Sequence, residues 1–256
     1  MEAKTNAGIF IGGVAIVAVV LSITLYVDNS RQKVPSHLRV GVGAGIAGTM
    51  INDTAEVAQS SGLSIDVQVF IECCGNASQW AMGNGEIDIG FFCSSIALTL
   101  INSNDDLMIY GPAVMNSEVV ALGADISSPT AVAVPLKRAF LSDLIRDNYP
   151  AVTDILQASP MTIQYALADG RTESAVLDIA QALRLPDAVF IRVSEQDYIS
   201  YSLVARREIV NTTHFEKFLE AYNQTAESYN DYEYMENRFG MSGDFWQMVD
   251  IKFLAL

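Results

Sequence analysis

All three cysteines of the chain lie in one stretch, residues 67–95, which reads VQVFIECCGNASQWAMGNGEIDIGFFCSS. The stretch contains two predicted strands: the first runs into Cys73 and Cys74, and the second ends at Cys93. The small and polar residues after each strand indicate a turn into a helix. Because the carboxyl ends of neighbouring parallel strands line one crevice, we expect the three thiols to face a common ligand.

The composition indicates a folded, acidic protein. The chain has 256 residues, of which 50% are hydrophobic, enough for one large domain or two small ones. Its net charge of -15 and its lack of a Lys/Arg cluster argue against a nucleic-acid partner. Three cysteines, two of them adjacent, match neither a disulfide framework nor a C-x-x-C zinc pattern.

An uncharged apolar segment near the N-terminus, residues 8–27, has the length of a helix that crosses a bilayer. It ends in neither a small-residue cleavage site nor the cysteine of a lipoprotein signal. We therefore predict a transmembrane anchor or uncleaved signal, with residues 1–7 in the cytoplasm and residues 28–36 as a linker.

The first strand after the linker is followed by a G-x-G-x-x-G pattern, formed by Gly43, Gly45 and Gly48. The next strand ends at Glu72, where a dinucleotide-binding fold would hold its ribose-binding acid. A dinucleotide-dependent oxidoreductase is therefore one interpretation. The other is a tight turn before a helix, whose N-terminus can hold a polar or anionic group of a ligand.

A helix, a glycine turn and a buried strand follow one another twice, around NGEIDIGF at residues 84–91 and again in residues 158–178. With the strands predicted at 106–110 and 118–122, this pattern resembles the extracytoplasmic substrate-binding proteins of ABC transporters. Within them it is similar to the branch that binds sulfonates, nitrate and thiamine precursors. The resemblance extends from residue 38 to the C-terminus.

The resemblance implies an α/β fold of the type II periplasmic-binding kind, with two lobes and open, mostly parallel sheets. Lobe 1 is expected at residues 37–124, lobe 2 at 125–203, and return helices that pack on lobe 1 at 204–256. The implied protein is not an enzyme and needs no cofactor. It delivers a small ligand to an ABC permease and its ATPase, with its body outside the cell membrane.

In such a fold the loops that follow the strands touch the ligand between the lobes. Segments 135–138 and 178–181 are two of these loops. The residues that we expect to contact the ligand are Gly45, Ile46, Cys73, Cys74, Gly75, Asn76, Cys93, Ser94, Ser95, Asn116, Ser117 and Asp178.

Thiols bind soft metals and electrophiles well but are poor partners for an oxyanion. Cys73, Cys74 and Cys93 are therefore predicted to bind a soft metal or an organometal such as organomercury. The E-C-C-G-N stretch also resembles a small family of substrate-binding selenoproteins associated with organometal breakdown. A sulfonate, nitrate or thiamine-precursor ligand is the alternative.

Several of these residues also have structural explanations. Cys93 could be ordinary core packing, Cys73 and Cys74 could form a vicinal disulfide, and Asp178 could cap a helix. Catalysis has little support, because Ser94 and Ser95 are outside any G-x-S-x-G motif and the two histidines show no triad or ligand spacing.

Overall fold

A computed structural model of the chain describes residues 37–71, 74–185 and 188–256. The predicted cytoplasmic, membrane-spanning and linker segments lie outside the described residues, as does Cys73. Within the described ranges, no helix combines the length and the apolar character that crossing a bilayer requires.

Strands and helices alternate along most of the described chain. The strands are β1 (Leu38–Gly43), β2 (Ile65–Phe70), β3 (Ile89–Phe92), β4 (Leu107–Met115), β5 (Glu118–Leu122), β6 (Ala131–Pro135), β7 (Asp154–Ala158), β8 (Ser174–Asp178), β9 (Val189–Arg192), β10 (Ile199–Arg206) and β11 (Lys252–Phe253). The helices are α1 (Ile46–Ser60), α2 (Asn76–Gly83), α3 (Ser94–Ser103), α4 (Ala139–Asn148), α5 (Ile163–Ala168), α6 (Ile179–Ala182), α7 (Thr213–Tyr229), α8 (Tyr232–Phe239) and α9 (Gly243–Val249).

The first lobe is built on a six-stranded sheet in the order β11-β4-β10-β3-β1-β2. Strand β1, which lies next to the edge strand β2, pairs in parallel with β2 on one side and with β3 on the other. Apolar residues such as Val40, Val42 and Ile89 are almost fully buried in its core. Because β2 and β3 run in the same direction, the residues that follow them, Cys74 and Cys93, lie at the same edge of the sheet.

The second lobe is built on a five-stranded sheet in the order β7-β6-β8-β5-β9. Strand β6 pairs in parallel with β7 and β8, whereas β5 pairs antiparallel with β8 and β9. In the first sheet β10 is likewise antiparallel to β3 and β4. The two-lobed α/β prediction is confirmed, but the expectation of mostly parallel sheets is wrong. Both sheets are mixed, because the strands that enter each lobe after a crossing run in the reverse direction.

The chain crosses between the lobes earlier in the sequence than the predicted lobe boundaries at residues 124 and 203. It leaves the first sheet at Met115, enters the second at Glu118, and returns from β9 to β10 between Arg192 and Ile199. Strand β5 therefore belongs to the second sheet and β10 to the first, so the boundaries drawn at 124 and 203 fall too late. Asn116, with φ of 58°, provides the sharp change of direction at the first crossing.

The C-terminal helices α7 to α9 pack mainly against the first lobe. Phe215, Phe218, Tyr222 and Trp246 are buried in one core cluster with the apolar residues of β1 and β3. The Tyr222 hydroxyl donates a hydrogen bond of 2.8 Å to a backbone carbonyl of β4. These contacts attach the C-terminal residues to the first lobe.

Candidate functional site

A cavity of about 320 Å³ lies between the two lobes, next to the loops that follow several of their strands. Its polar and small lining residues from the first lobe include Gly45, Cys74 and Tyr201, and those from the second lobe include Arg138, Gln164 and Asp178. A crevice at the carboxyl ends of strands is the usual ligand site of open α/β sheets. Its volume is that of a small-molecule pocket.

The carboxylate of Asp178 connects the second lobe to the first. Its Oδ1 accepts a hydrogen bond of 2.9 Å from the backbone N–H of Ile46, at the start of α1, and one of 2.8 Å from the N–H of Ala180. The carboxylate lies against Gly45, where a Cβ atom would overlap it. Asp178 therefore caps its own helix α6, and at the same time lies on the cavity wall and contacts the first lobe.

The second carboxylate oxygen of Asp178, Oδ2, is buried and accepts no hydrogen bond from the described residues. Burial is the largest cause that raises the pKa of Asp178, to about 7, and repulsion by Glu118 is the next. The N–H donors of Ala180 and Ile46, and the charge of Arg138, act in the opposite direction. Near neutral pH the protonated and charged forms of Asp178 are therefore both populated.

Cys74 and Cys93, which follow β2 and β3, are in contact. The Cys74 thiol donates to Cys93, and their sulfur atoms are 2.7 Å apart. Cys74 lies on the cavity wall, and Cys93 is fully buried. The structure thus brings together two thiols that are far apart in sequence.

The environment of Cys93 favours its thiolate form. The hydrogen bond from Cys74 is the main cause that lowers the pKa of Cys93 to about 6, against the opposing effect of burial. The Ser95 hydroxyl, 3.6 Å from the sulfur, the Ile96 N–H and the charge of Arg138 lower it further. A thiolate is both a nucleophile and a ligand for soft cations.

Within the described part of the chain, no group of three or more His, Cys, Asp or Glu side chains is arranged to hold a metal ion. Cys73 is outside the described residues. The predicted three-thiol site therefore stays a prediction.

A buried ion pair between Glu118 and Arg138 lies beside the cavity, close to the crossing between the lobes. Glu118 also accepts hydrogen bonds from the hydroxyls of Ser117 (2.9 Å), Ser200 (2.9 Å) and Tyr198 (3.2 Å). Several donors therefore stabilise its charge, as burial of a carboxylate requires.

Arg138 extends the same network to the first lobe. Its guanidinium donates to the Tyr201 hydroxyl at 3.1 Å and lies 5.0 Å from the centre of the Tyr201 ring. Since Arg138 follows β6 and Tyr201 belongs to β10, this contact joins the two lobes near the crossing.

Asn116 and Ser117 are placed in the crossing segment. The Asn116 amide donates to the Asp197 carboxylate (2.7 Å) and to the Asp250 carbonyl (3.0 Å), and its oxygen accepts from the Tyr198 N–H (3.1 Å). Ser117 is also buried and bonded to neighbouring residues. These contacts hold the crossing segment in place, and this segment is where a hinge between the two lobes would lie.

The remaining predicted site residues surround the thiols. Asn76 accepts a hydrogen bond of 3.1 Å from the Lys137 ammonium, which reaches across from the second lobe. Gly75 is the residue before α2, and Ser94 and Ser95 begin α3. Of this group, Asn76 contacts the opposite lobe.

Glu118, Gln164 and Tyr201 were not anticipated as site residues. Arg138 lies in segment 135–138, which the sequence predicts as one of the loops that touch the ligand. A signal for Glu118 exists in the sequence, because a carboxylate that opens the apolar run EVVAL needs a buried partner. No local pattern marks Gln164 or Tyr201.

The G-x-G-x-x-G pattern has a packing explanation in this structure. A Cβ atom at Gly48 would overlap the carbonyl oxygen of Gly43, so this glycine allows α1 to pack closely on β1. The carboxylate at Gly45 places a negative charge where a dinucleotide would place its pyrophosphate. The geometry therefore disfavours the dinucleotide interpretation.

Comparison with known proteins identifies the fold but no close relative. No protein-family model and no curated protein matches the chain. A zinc-bound ligand-binding component of an ABC-type import system from Staphylococcus aureus is 13% identical, with a TM-score of 0.67 and coverage of 86% of each chain.

Two further solved structures are similar. The methionine-binding protein MetQ is 19% identical, with a TM-score of 0.61, over 87% of this chain and 99% of that one. The alkanesulfonate-binding protein SsuA from Xanthomonas axonopodis pv. citri, bound to MOPS, is 15% identical, with a TM-score of 0.58, over 84% of this chain and 82% of that one. The chain thus has the fold of substrate-binding proteins of ABC importers.

Proposed function

We propose that this chain is the solute-binding component of an ABC importer, which holds a small ligand between its lobes and delivers it to a permease and its ATPase. The observation that carries the proposal is the cavity of about 320 Å³ with walls from both lobes. A ligand that contacts both lobes stabilises their closed arrangement, which is how hinged binding proteins capture solutes. The shared fold supports the same function.

We place the body outside the cell membrane, because the binding component of an importer must collect its solute there. The apolar residues 8–27 are proposed as its anchor. The partners proposed are the permease and the ATPase, and no nucleic acid, in keeping with the net charge of -15.

For the ligand itself, we propose a soft metal or an organometal such as organomercury. Cys74 lies on the cavity wall in contact with Cys93, and the low pKa of Cys93 favours a thiolate near neutral pH. Thiolates prefer soft cations. Because the two sulfur atoms are 2.7 Å apart, an ion held by both requires them to separate. Cys73, next to Cys74 in the chain, is proposed as a third ligand.

A sulfonate, nitrate or thiamine-precursor solute is the second candidate, favoured by the cations Lys137, Arg138 and Arg184 on the cavity wall. Arg138 is paired with Glu118, and Lys137 donates to Asn76. An oxyanion would therefore share these cations with their present partners.

Thermal unfolding of the reduced full chain in detergent separates the two candidates. The panel contains mercury(II), an organomercurial, arsenite, nitrate, taurine and NAD. A true ligand at a hundred times its Kd adds about 2.7 kcal/mol to the stability. The same panel is applied to a variant with Cys74→Ser and Cys93→Ser, and separately to Cys73→Ser.

Stabilisation by a soft metal that disappears in the double variant would support the thiol site. Stabilisation by nitrate or taurine that persists in that variant would support the oxyanion candidate. A soft-metal effect of unchanged size in the double variant would contradict the proposal that Cys74 and Cys93 bind the metal.

A further inference from the structure

Two residues that line the cavity each have a buried acceptor atom without a hydrogen-bond donor among the described residues. These atoms are Oδ2 of Asp178, at the end of β8, and Oε1 of Gln164, in α5. Buried polar atoms in folded proteins nearly always have a partner. Acceptors that the protein leaves without a donor can be paired by water or by a solute in the cavity, and a solute that displaces the water must replace its hydrogen bonds.

The protein around Asp178 provides no hydrogen-bond donor to Oδ2 among the described residues. The other oxygen, Oδ1, already accepts from the N–H groups of Ile46 and Ala180. The residue packed against the carboxylate is Gly45, which has no side chain to offer. A donor for Oδ2 can therefore come from a molecule in the cavity.

The charges near Asp178 favour a cationic donor. Glu118 and Arg138 form an ion pair, and the repulsion of Asp178 by Glu118 outweighs its attraction to Arg138. Among the other cations on the wall, Lys137 is exposed and donates to Asn76, and Arg184 is exposed. The cation that attracts this carboxylate, Arg138, is thus already paired with Glu118.

We propose that the solute carries a protonated amine that donates to Oδ2 of Asp178, while Oε1 of Gln164 accepts from a second donor of the same solute. This inference rests on the proposed solute-binding function, and the ligand class that it names is an alternative to the soft-metal candidate. It concerns the second lobe and does not depend on the thiols. An analogue without the amine would leave Oδ2 of Asp178 unpaired, which is a strong basis for selectivity.

Binding of a cation at Asp178 is coupled to release of its proton. With a pKa of about 7, the Asp178 carboxyl is mostly protonated at pH 6 and mostly charged at pH 8. An amine, which like a lysine side chain stays protonated over this range, should therefore bind about tenfold more tightly at pH 8 than at pH 6. A ligand that accepts a hydrogen bond from the protonated carboxyl would show the opposite trend.

The test measures Kd for matched pairs of solutes with the full chain in detergent. The pairs are taurine with propane-1-sulfonate, L-methionine with 4-(methylthio)butanoate, and hexylamine with hexan-1-ol. We expect at least one amine to bind, and its amine-free partner to bind at least tenfold more weakly.

Variants of Asp178 and Gln164 test whether these two acceptors cause the preference for amines. Asp178→Asn keeps an acceptor for Ile46 but removes the charge, so it should weaken amine binding between about tenfold and a hundredfold and remove the pH dependence. Asp143→Asn changes an exposed carboxylate on α4 and should have no effect. Gln164→Leu leaves Asp178 in place and should also weaken binding, which provides a test even if the first variant does not fold.

Three results would overturn the inference. They are equal binding of both members of every pair, tighter amine binding at pH 6, and unchanged amine binding in Asp178→Asn. If only amine-free solutes bind, the amine inference fails but the proposed solute-binding function stands. If no member of any pair binds at either pH, the inference fails, and the soft-metal and oxyanion panel then decides the proposed function separately.

Discussion

Replacing Asp178 with asparagine should change how the stability of the chain depends on pH. In the folded chain the pKa of Asp178 is raised to about 7, above the ordinary value of 3.8 that an unfolded chain has. Between these two values the folded state holds the proton more tightly than the unfolded state. The stability contributed by the protonated carboxyl is therefore fully present below pH 4 and is lost as the pH rises to 7.

The size of the effect follows from the two pKa values. Each pH unit between them is worth about 1.4 kcal/mol, so the full loss is at most about 4 kcal/mol at pH 7 and above. Asparagine has no proton to lose and keeps an oxygen for the Ile46 and Ala180 N–H groups. Any cost of its buried amide is the same at every pH. Relative to wild type, Asp178→Asn should thus gain stability as the pH rises from 4 to 7.

The measurement is urea unfolding of both chains at pH values from 4 to 8, followed by the fluorescence of the buried Trp246. The matched control is Asp143→Asn, since the Asp143 side chain is 74% exposed and should give a small difference from wild type. A difference between Asp178→Asn and wild type that stays constant over this pH range would refute the reasoning. It would mean that burial does not raise the pKa of the Asp178 carboxyl.

Two further predictions concern the contacts around the cavity. Gly45→Ala should destabilise the chain by about 1–3 kcal/mol in urea unfolding, because its methyl group displaces the Asp178 carboxylate. Gly83→Ala is the control and should not destabilise the chain, because its methyl group meets no atom within 4 Å. Equal losses of stability in the two variants would contradict this explanation. Arg138→Met leaves Glu118 buried without its ion-pair partner and should cost about 3–5 kcal/mol. Adding Glu118→Gln should recover part of that loss, and strictly additive effects would argue against a coupled pair.

The helices and strands could be predicted from the sequence because the signals that start and end them act over a few residues. One of the return helices that the sequence predicts within residues 204–256 is α8, which runs from Tyr232 to Phe239. Asp231 accepts from the N–H of Glu233 at its start, and Gly240 ends it with φ of 77°. Both residues are adjacent to the helix in sequence.

Sheet membership could not be predicted in the same way. Strand β5 has the same apolar sequence whichever sheet it joins, and its partners β8 and β9 come much later in the chain. The partner of β10, strand β4, comes much earlier. The lobe boundaries were therefore misplaced although the strands themselves were expected.

The sequence predicts only those contacts in the site that follow from the order and direction of the strands. The contact between Cys74 and Cys93 needs only that β2 and β3 run parallel beside β1. The contact between Asp178 and Ile46 joins residues 132 positions apart and depends on how the two lobes approach each other. Nothing near Asp178 in sequence distinguishes that role from an ordinary helix cap.

The two roles of Asp178 give ligand binding a direct connection to lobe closure. Its Oδ1 accepts from the Ile46 N–H of the first lobe, while its Oδ2 has no donor among the described residues and belongs to a side chain that lines the cavity. Hydrogen bonds to a charged acceptor are roughly twice as strong as those to a neutral one. A cation that binds at Oδ2 keeps the carboxyl charged, and the contact with Ile46 is then strengthened. The carboxylate proposed to recognise the solute is therefore also the group through which the solute would draw the lobes together.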